Sequence, residues 1–277
     1  MKPAFQKDDA LLADIARARA EGRARLWWLG QSGFLLFTRV GTVLFDPYLS
    51  DSLTNKYADS DKPHVRVTER VIDPERLTGI DIIASSHSHT DHFDAETLLP
   101  LLAANPRARL LIPRANRALV LERLGKVEET LVEVDAGERV KVAGVEFHGI
   151  PAAHDTVERD EHGRCRFLGY VARLSEKTVY HSGDTLMHDG LVRALAPFKP
   201  DAALVPINGN RPERRVAGNL DGREAALLAH EISAGVAVPH HFDMFEFNTA
   251  PPEDFAAECR RLGQRCRTLR NGEGMDL

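Results

Sequence analysis

Apolar and polar positions alternate in short blocks along the 277 residues. Residues 7 to 21 place Leu11, Leu12, Ile15 and Ala18 in a modest apolar stripe behind Asp8 and Asp9, either of which can cap a helix start. Three apolar runs follow between glycine turns, and Leu26 to Trp28, Phe34 to Phe37 and Val43 to Phe45 are predicted strands. Residues 51 to 79 are polar and irregular and carry Lys56, Tyr57 and His64; so long a loop is often functional. The run IDIIASS predicts a strand that ends at HSHTDHFD. A helix over 94 to 104, strand ARLLIP and helix RANRALVLERLG come next. Leu131 to Val134, Val140 to Val142 and Val145 to Ile150 are predicted strands, and Phe167 to Arg173 with Thr178 to His181 a hairpin. A short helix near 190 to 197, strand DAALVPI, helix 222 to 232, strand GVAVPH, helix 252 to 262 and a last strand near 266 to 269 complete the pattern. Strand–helix alternation in each half argues for a layered α/β protein with sheets inside and helices outside.

Composition narrows the class. With 43% hydrophobic residues the chain can bury a sizeable core, at the boundary between one domain and two. No apolar run approaches the length of a membrane span. The first residues carry acids and no apolar core, so no secretory signal and a cytoplasmic location are expected. A formal net charge of −5 gives no pull toward nucleic acid or an anionic membrane. The three cysteines, Cys165, Cys259 and Cys266, fit neither a disulfide framework nor a thiolate zinc site. Against them stand 12 histidines, so a bound metal would rest on imidazole and carboxylate.

The central chemical signal is His87-Ser88-His89-Thr90-Asp91-His92, directly after an apolar strand. In an extended segment His87 and His89 point to one side, and Asp91 continues the alternation before the chain turns into a helix. Imidazole with carboxylate suits zinc, iron or manganese rather than an all-oxygen magnesium or calcium site. Burying so many polar groups without a partner would be expensive. Further ligands must come from elsewhere. Candidates beyond apolar runs are His154 in IPAAHD, Asp184 in YHSGDT, and His240 and His241 in VAVPHHFDMF.

The segment HSHTDH resembles the H-x-H-x-D-H motif of metallo-β-lactamase-fold hydrolases, and the later positions arrive in that family's order, from Trp28 to about Asn271. The resemblance implies an α/β four-layer αβ/βα sandwich, two mixed sheets flanked by helices, read as a single domain over 1–277. It implies two divalent metal ions, His87, His89 and His154 on the first, Asp91, His92 and His241 on the second, and Asp184 bridging both. Asp46, in LFDPYLS, matches an acid that orients a ligand histidine; an Asx turn before Pro47 is the other reading. His181 is a second candidate for such a supporting role. WWLGQSGF, YHSGDT, PINGN and PHHFD look most like the L-ascorbate-6-phosphate lactonase branch, and by that register His241 is the ligand and His240 is not. Two features depart from that branch: the chain is shorter than expected for it, and His154 stands where no clear histidine ligand is expected. N-acyl-phosphatidylethanolamine phospholipases share the same ligands. Secreted β-lactamases carry Cys where Asp184 stands, and di-iron flavoproteins of this fold carry an acid where this chain has His89.

Such a site reads as hydrolytic. Two cations about 3.5–4 Å apart make hydroxide available near neutral pH, with Asp91 and Asp184 as catalytic carboxylates orienting it. The expected substrate is a small anionic ester, lactone or phosphoester, with zinc or manganese as cofactor, or iron. For substrate contacts, Asn208, Arg211, Arg214 and Arg215 follow a predicted strand and could grip an anion, or form a solvated loop with Glu213. His188 is a candidate proton donor or a solvent-facing residue. His64, His148, His162 and His230 read as surface or packing, and Trp27 and Trp28 as core. An RNase-type or phosphodiesterase relative would need a basic surface that the charge does not support, and a metal-binding protein without turnover is the other alternative. A homo-oligomer is compatible with all of this.

Overall fold

The computed structural model describes residues 1–175 and 177–277. Among these residues thirteen strands form two mixed sheets. The first sheet holds β1 (Arg25–Gly30), β2 (Gly33–Phe37), β3 (Thr42–Phe45), β4 (Ile82–Ala84), β5 (Arg109–Pro113) and β6 (Leu131–Val134). The second holds β7 (Arg139–Val142), β8 (Val145–Pro151), β9 (Leu168–Leu174), β10 (Lys177–His181), β11 (Ala202–Pro206) and β12 (Val236–His240). The thirteenth strand, β13 (Gly274–Asp276), returns to the edge of the first sheet beside β1. The order is β13-β1-β2-β3-β4-β5-β6 in one sheet and β12-β11-β10-β9-β8-β7 in the other.

Alternation along the strands explains the layering. In β1 and β2, Leu26, Trp28, Phe34 and Leu36 join one cluster that includes Phe147, Tyr170 and Val171 of the second sheet. Their neighbours Trp27, Leu29 and Leu35 join a separate cluster on the opposite face. There they meet Leu11, Ile15 and Ala18 of α1 (Asp8–Glu21), and Leu98 and Leu101 of a later helix, Ala95–Ala104. The period of two thus sorts side chains between the sheet–sheet core and the helix layer. Phe45 meets Phe147 edge-on across the core, with ring centres 6.5 Å apart. With α2 (Ser52–Lys56) lying in the long loop, the Ala95–Ala104 helix is α3, followed by α4 (Arg117–Leu124). On the far side, α5 (Leu191–Leu195), α6 (Gly222–Glu231) and α7 (Pro252–Leu262) contribute Leu191, Ala225, Leu228 and Phe255 to the core of the second sheet. Two mixed sheets with flanking helices make the four-layer sandwich of the metallo-β-lactamase fold. No helix among the described residues is long and apolar enough to cross a membrane.

Local differences from the sequence reading have physical causes. Neither Asp8 nor Asp9 caps α1; Lys7 occupies that position without a side-chain cap, and both carboxylates turn to Arg76. Residues 51–79 are not wholly irregular, since α2 and a short 3₁₀ turn at Pro74–Arg76 lie within them. The last strand is not at 266–269. Cys266 makes only an isolated bridge to Ala237, and the pairing passes to β13, where Arg25 binds Asp276 at 2.8 Å. A Cβ on Gly274 would lie 2.6 Å from the Trp27 ring, so this edge contact requires glycine.

One buried carboxylate ties α1 to the sheet. Asp14 accepts hydrogen bonds from Trp27 Nε1 at 2.8 Å and Gln6 Nε2 at 3.0 Å, and pairs with Arg17 and Arg25. Burial alone would raise its pKa, but these donors outweigh it and hold the carboxyl well below the usual carboxylate range. Because the folded pKa is the lower one, this stabilisation is fully present above the unfolded value of about 3.9 and fades as pH falls below it. Asp14→Asn is expected to cost about 3 kcal/mol at pH 7 and much less near pH 2, as read by urea denaturation at both values.

Candidate metal centre

The site forms where strands end. Phe45, Ala84, His181 and His240 end β3, β4, β10 and β12, and the loops that follow carry Asp46, the His87–His92 run, Asp184 and His241. Parallel pairing of β3 with β4, of β10 with β11 and of β11 with β12 aligns these ends on one edge. After β4 the backbone is locked by Ser85 Oγ, within 2.9 Å of the His87 carbonyl and 3.1 Å of the His92 carbonyl. A turn closed by Phe93 N–H donating to the His89 carbonyl at 2.7 Å then aims His92 inward. Gly183 precedes Asp184 at φ +60, with Ser86 2.7 Å from where its Cβ would stand, so the turn that delivers Asp184 has room only for glycine.

The seven residues singled out in the sequence converge. Ligand-capable atoms of His87, His89 and His154 lie within 4.8 Å of one another, as do those of His87, His92 and Asp184, and those of Asp91, His92 and His241. Asp184 is the hub. Its carboxylate lies 3.2 Å from His92 Nε2, 3.3 Å from His241 Nε2 and 3.5 Å from His154 Nε2. Asp91 Oδ2 lies 3.5 Å from His241 Nε2 and 3.6 Å from His92 Nε2. His240 is turned away, its Nδ1 3.1 Å from Ser32 Oγ and its ring edge-on to Phe34.

A surrounding layer sets which ring nitrogen faces the cluster. His92 Nδ1 donates to Asp46 Oδ2 at 2.7 Å, and His154 Nδ1 donates to the Gly218 carbonyl at 2.8 Å, so both present Nε2 inward. Asp46 also accepts from the Ser86 N–H at 2.7 Å and the Ser86 hydroxyl at 2.5 Å, and that hydroxyl lies 3.0 Å from His87 Nδ1. His181 is buried against the Ser32 carbonyl at 2.8 Å and takes the Gly183 N–H at 3.1 Å; it reaches Asp46 only at 3.9 Å. Gln31, which the sequence reading did not single out, donates from Nε2 to Asp91 Oδ2 at 2.8 Å. The signal lay within WWLGQSGF, where Gln31 follows β1 at φ +47.

The donor set fits a cation. His87 Nε2, His92 Nε2 and Asp184 Oδ1 are buried and make no hydrogen bond among the described residues, a costly arrangement without a positive partner. Burial would lower the His92 pKa, yet Asp184, Asp91 and Asp46 drive it well above the ordinary range. By the same opposition of burial to carboxylates, His241 rises to about 9. Burial would raise Asp184, but His92 and His241 hold it well below the usual range. The carboxylates therefore create a potential that positive charge must satisfy.

The predicted substrate residues fall elsewhere. Asn208 and Arg211 line a neighbouring depression with Asp221 and Asp254. Arg214 spends its guanidinium on the Asn208 and Thr249 carbonyls, and Arg215 pairs with Asp61 at 2.9 Å. His188 holds the Pro151 carbonyl at 3.0 Å and lies outside the residues that line the main cleft. That cleft, about 430 Å³, opens over the cluster and is lined instead by Lys56, Tyr57, His64, Arg123, Phe245 and Phe247. His64, read as surface or packing, is thus a cleft residue.

Residues 42–242 match the model of the beta-lactamase superfamily domain. A UPF0173 metal-dependent hydrolase of Saccharolobus solfataricus is 26% identical over 92% of this chain and 100% of its own length. Another, from Opitutus terrae, is 28% identical over 91% of this chain and 100% of its own. Among solved structures, the metallo hydrolase Igni18 of Ignicoccus hospitalis superposes with a TM-score of 0.67 at 20% identity, covering 92% of this chain and 98% of that one. An isothiocyanate hydrolase from Delia radicum gut bacteria gives 0.71 at 18% identity, covering 91% and 99%. The strand-end cluster and the family match over most of its length agree: this chain belongs to the beta-lactamase superfamily.

Proposed function

We propose that the chain, read as one domain over 1–277, is a metal-dependent hydrolase acting on a small anionic ester, lactone or phosphoester. The observation that carries this reading is the convergence of His87, His89, His92, His154, His241, Asp91 and Asp184 with buried lone pairs left unpartnered. His87, His89 and His154 would hold one divalent ion, Asp91, His92 and His241 a second, with Asp184 shared. Zinc or manganese suits the donors, and iron is compatible. When bound, such ions would supply Lewis acidity and acidify water at the site.

The protein's own groups divide the remaining work. Asp91 keeps 18% side-chain exposure and borders the cleft, so its carboxylate can accept a hydrogen bond from an attacking water and orient it. Asp184 is 2% exposed and serves to hold the cluster together. Gln31 fixes the Asp91 carboxylate, and Asp46 fixes the His92 ring. The lactonase-like finer reading rests on WWLGQSGF, YHSGDT, PINGN and PHHFD alone. The test is turnover across a panel of lactones, phosphodiesters and thioesters, before and after chelation. Activity lost on chelation and restored by zinc or manganese is expected; turnover indifferent to chelation, or none on any member, contradicts the reading.

A further inference from the structure

The cleft above the cluster has two distinct kinds of surface away from the ring nitrogens and carboxylates of the cluster itself. One wall is aromatic. The Tyr57 ring stacks on His64 with centres 4.3 Å apart and planes 21° from parallel. His64 in turn meets Phe247 at 4.7 Å and Phe245 at 5.2 Å, both edge-on. Burial pulls the His64 pKa below its ordinary value, which favours a neutral ring in this stack. The wall is held in place before any ligand arrives. Thr54 Oγ1 donates to the His64 carbonyl at 2.7 Å, Glu246 N–H to the Val65 carbonyl at 3.0 Å, and Lys62 Nζ to the Arg215 carbonyl at 2.8 Å.

The second surface is cationic. Lys56 and Arg123 are the Lys and Arg residues of the lining, and its acids are Asp91 and Asp184 of the cluster. Neither cation is in a salt bridge among the described residues: Lys56 lies over the Tyr57 ring at 5.1 Å, and Arg123 donates to the Ser88 carbonyl at 2.5 Å. Two cations without acidic partners beside a preformed aromatic face are suited to an anion that carries a flat body.

We propose that the cleft selects organic anions with a planar aromatic or conjugated body, which packs among the Tyr57, His64 and Phe247 rings, face-on to one and edge-on to its neighbour, while Lys56 and Arg123 receive the charge. This rests on the hydrolase reading only for which end of the molecule reacts. It moves anion recognition from the Arg211–Arg215 loop to residues on α2 and α4.

The test is calorimetric binding of non-hydrolysable probes to the full-length, metal-loaded protein. The probes are 2-naphthoate, cyclohexanecarboxylate and 2-naphthylmethanol. Expected is about tenfold tighter binding of 2-naphthoate than of either other probe. The double variant Lys56→Ala, Arg123→Ala is expected to lose about tenfold for 2-naphthoate, and Phe247→Leu to lose most of the preference over cyclohexanecarboxylate. Tyr57→Leu provides the same reading should Phe247→Leu melt early. Equal affinity for 2-naphthoate and cyclohexanecarboxylate, or undiminished 2-naphthoate binding in the double variant, overturns the proposal. Because binding is read without turnover, preference for 2-naphthoate in a protein that hydrolyses nothing sinks the hydrolase reading alone. Turnover without that preference sinks this one alone.

Discussion

Asp184→Asn is expected to cut turnover by at least about 10³-fold and to lower metal retention, with little loss of secondary structure. Among the described residues Asp184 is the one carboxylate close to His92, His154 and His241 together, so no described neighbour can take its place. The amide keeps the volume and one oxygen but removes the charge. With that charge gone, His92 and His241 lose the leading influence that raises their pKa values. The check is steady-state kinetics beside metal analysis and circular dichroism on the same preparation. Turnover within about threefold of the parent would remove Asp184 from the centre of the site.

Asp46→Asn is the second large effect, and it acts at one remove. Asp46 touches no ligand-facing atom of the cluster; it orders three donors around itself, His92 Nδ1 and the N–H and hydroxyl of Ser86. Its backbone sits at φ +40, a conformation that asparagine tolerates and alanine does not, so the amide variant isolates the charge. Loss of the carboxylate frees the His92 ring to choose the wrong tautomer. The expected result is about a 10–100-fold loss of metal affinity, measured by competition with a chelating dye, and a comparable fall in kcat. A fall in thermal stability with metal affinity unchanged would assign Asp46 to the fold alone.

What could be read from the sequence divides by distance along the chain. The His87–His92 run is local, and the remaining members of the cluster each follow an apolar strand, where strand direction alone sends side chains to the sheet edge. Alternation in Leu26 to Trp28 and Phe34 to Phe37 made the layering of sheets and helices legible, whereas the metallo-β-lactamase fold itself was legible only through the resemblance carried by HSHTDH and the segments after it. The cleft wall was not. Tyr57 and His64 come from one loop and Phe245 and Phe247 from another far along the chain, and nothing local announces that they stack. The arginine loop, which read equally as an anion grip or a solvated loop, was not legible because adjacency to a strand end fixes a residue's place but not its direction: Arg214 turns to the Asn208 and Thr249 carbonyls. Strand β13 escaped because Gly-Met-Asp has no strand pattern of its own, and its register comes from Arg25 and Trp27 opposite.

Metal content settles the central claim most directly. The purified chain is stripped, reconstituted with zinc or manganese, assayed for bound metal, and crystallised for anomalous diffraction at the metal edge. The expected result is two anomalous peaks, one among His87, His89 and His154 and one among Asp91, His92 and His241, both beside Asp184. Less than about one ion per chain after reconstitution, or peaks away from these residues, would contradict it.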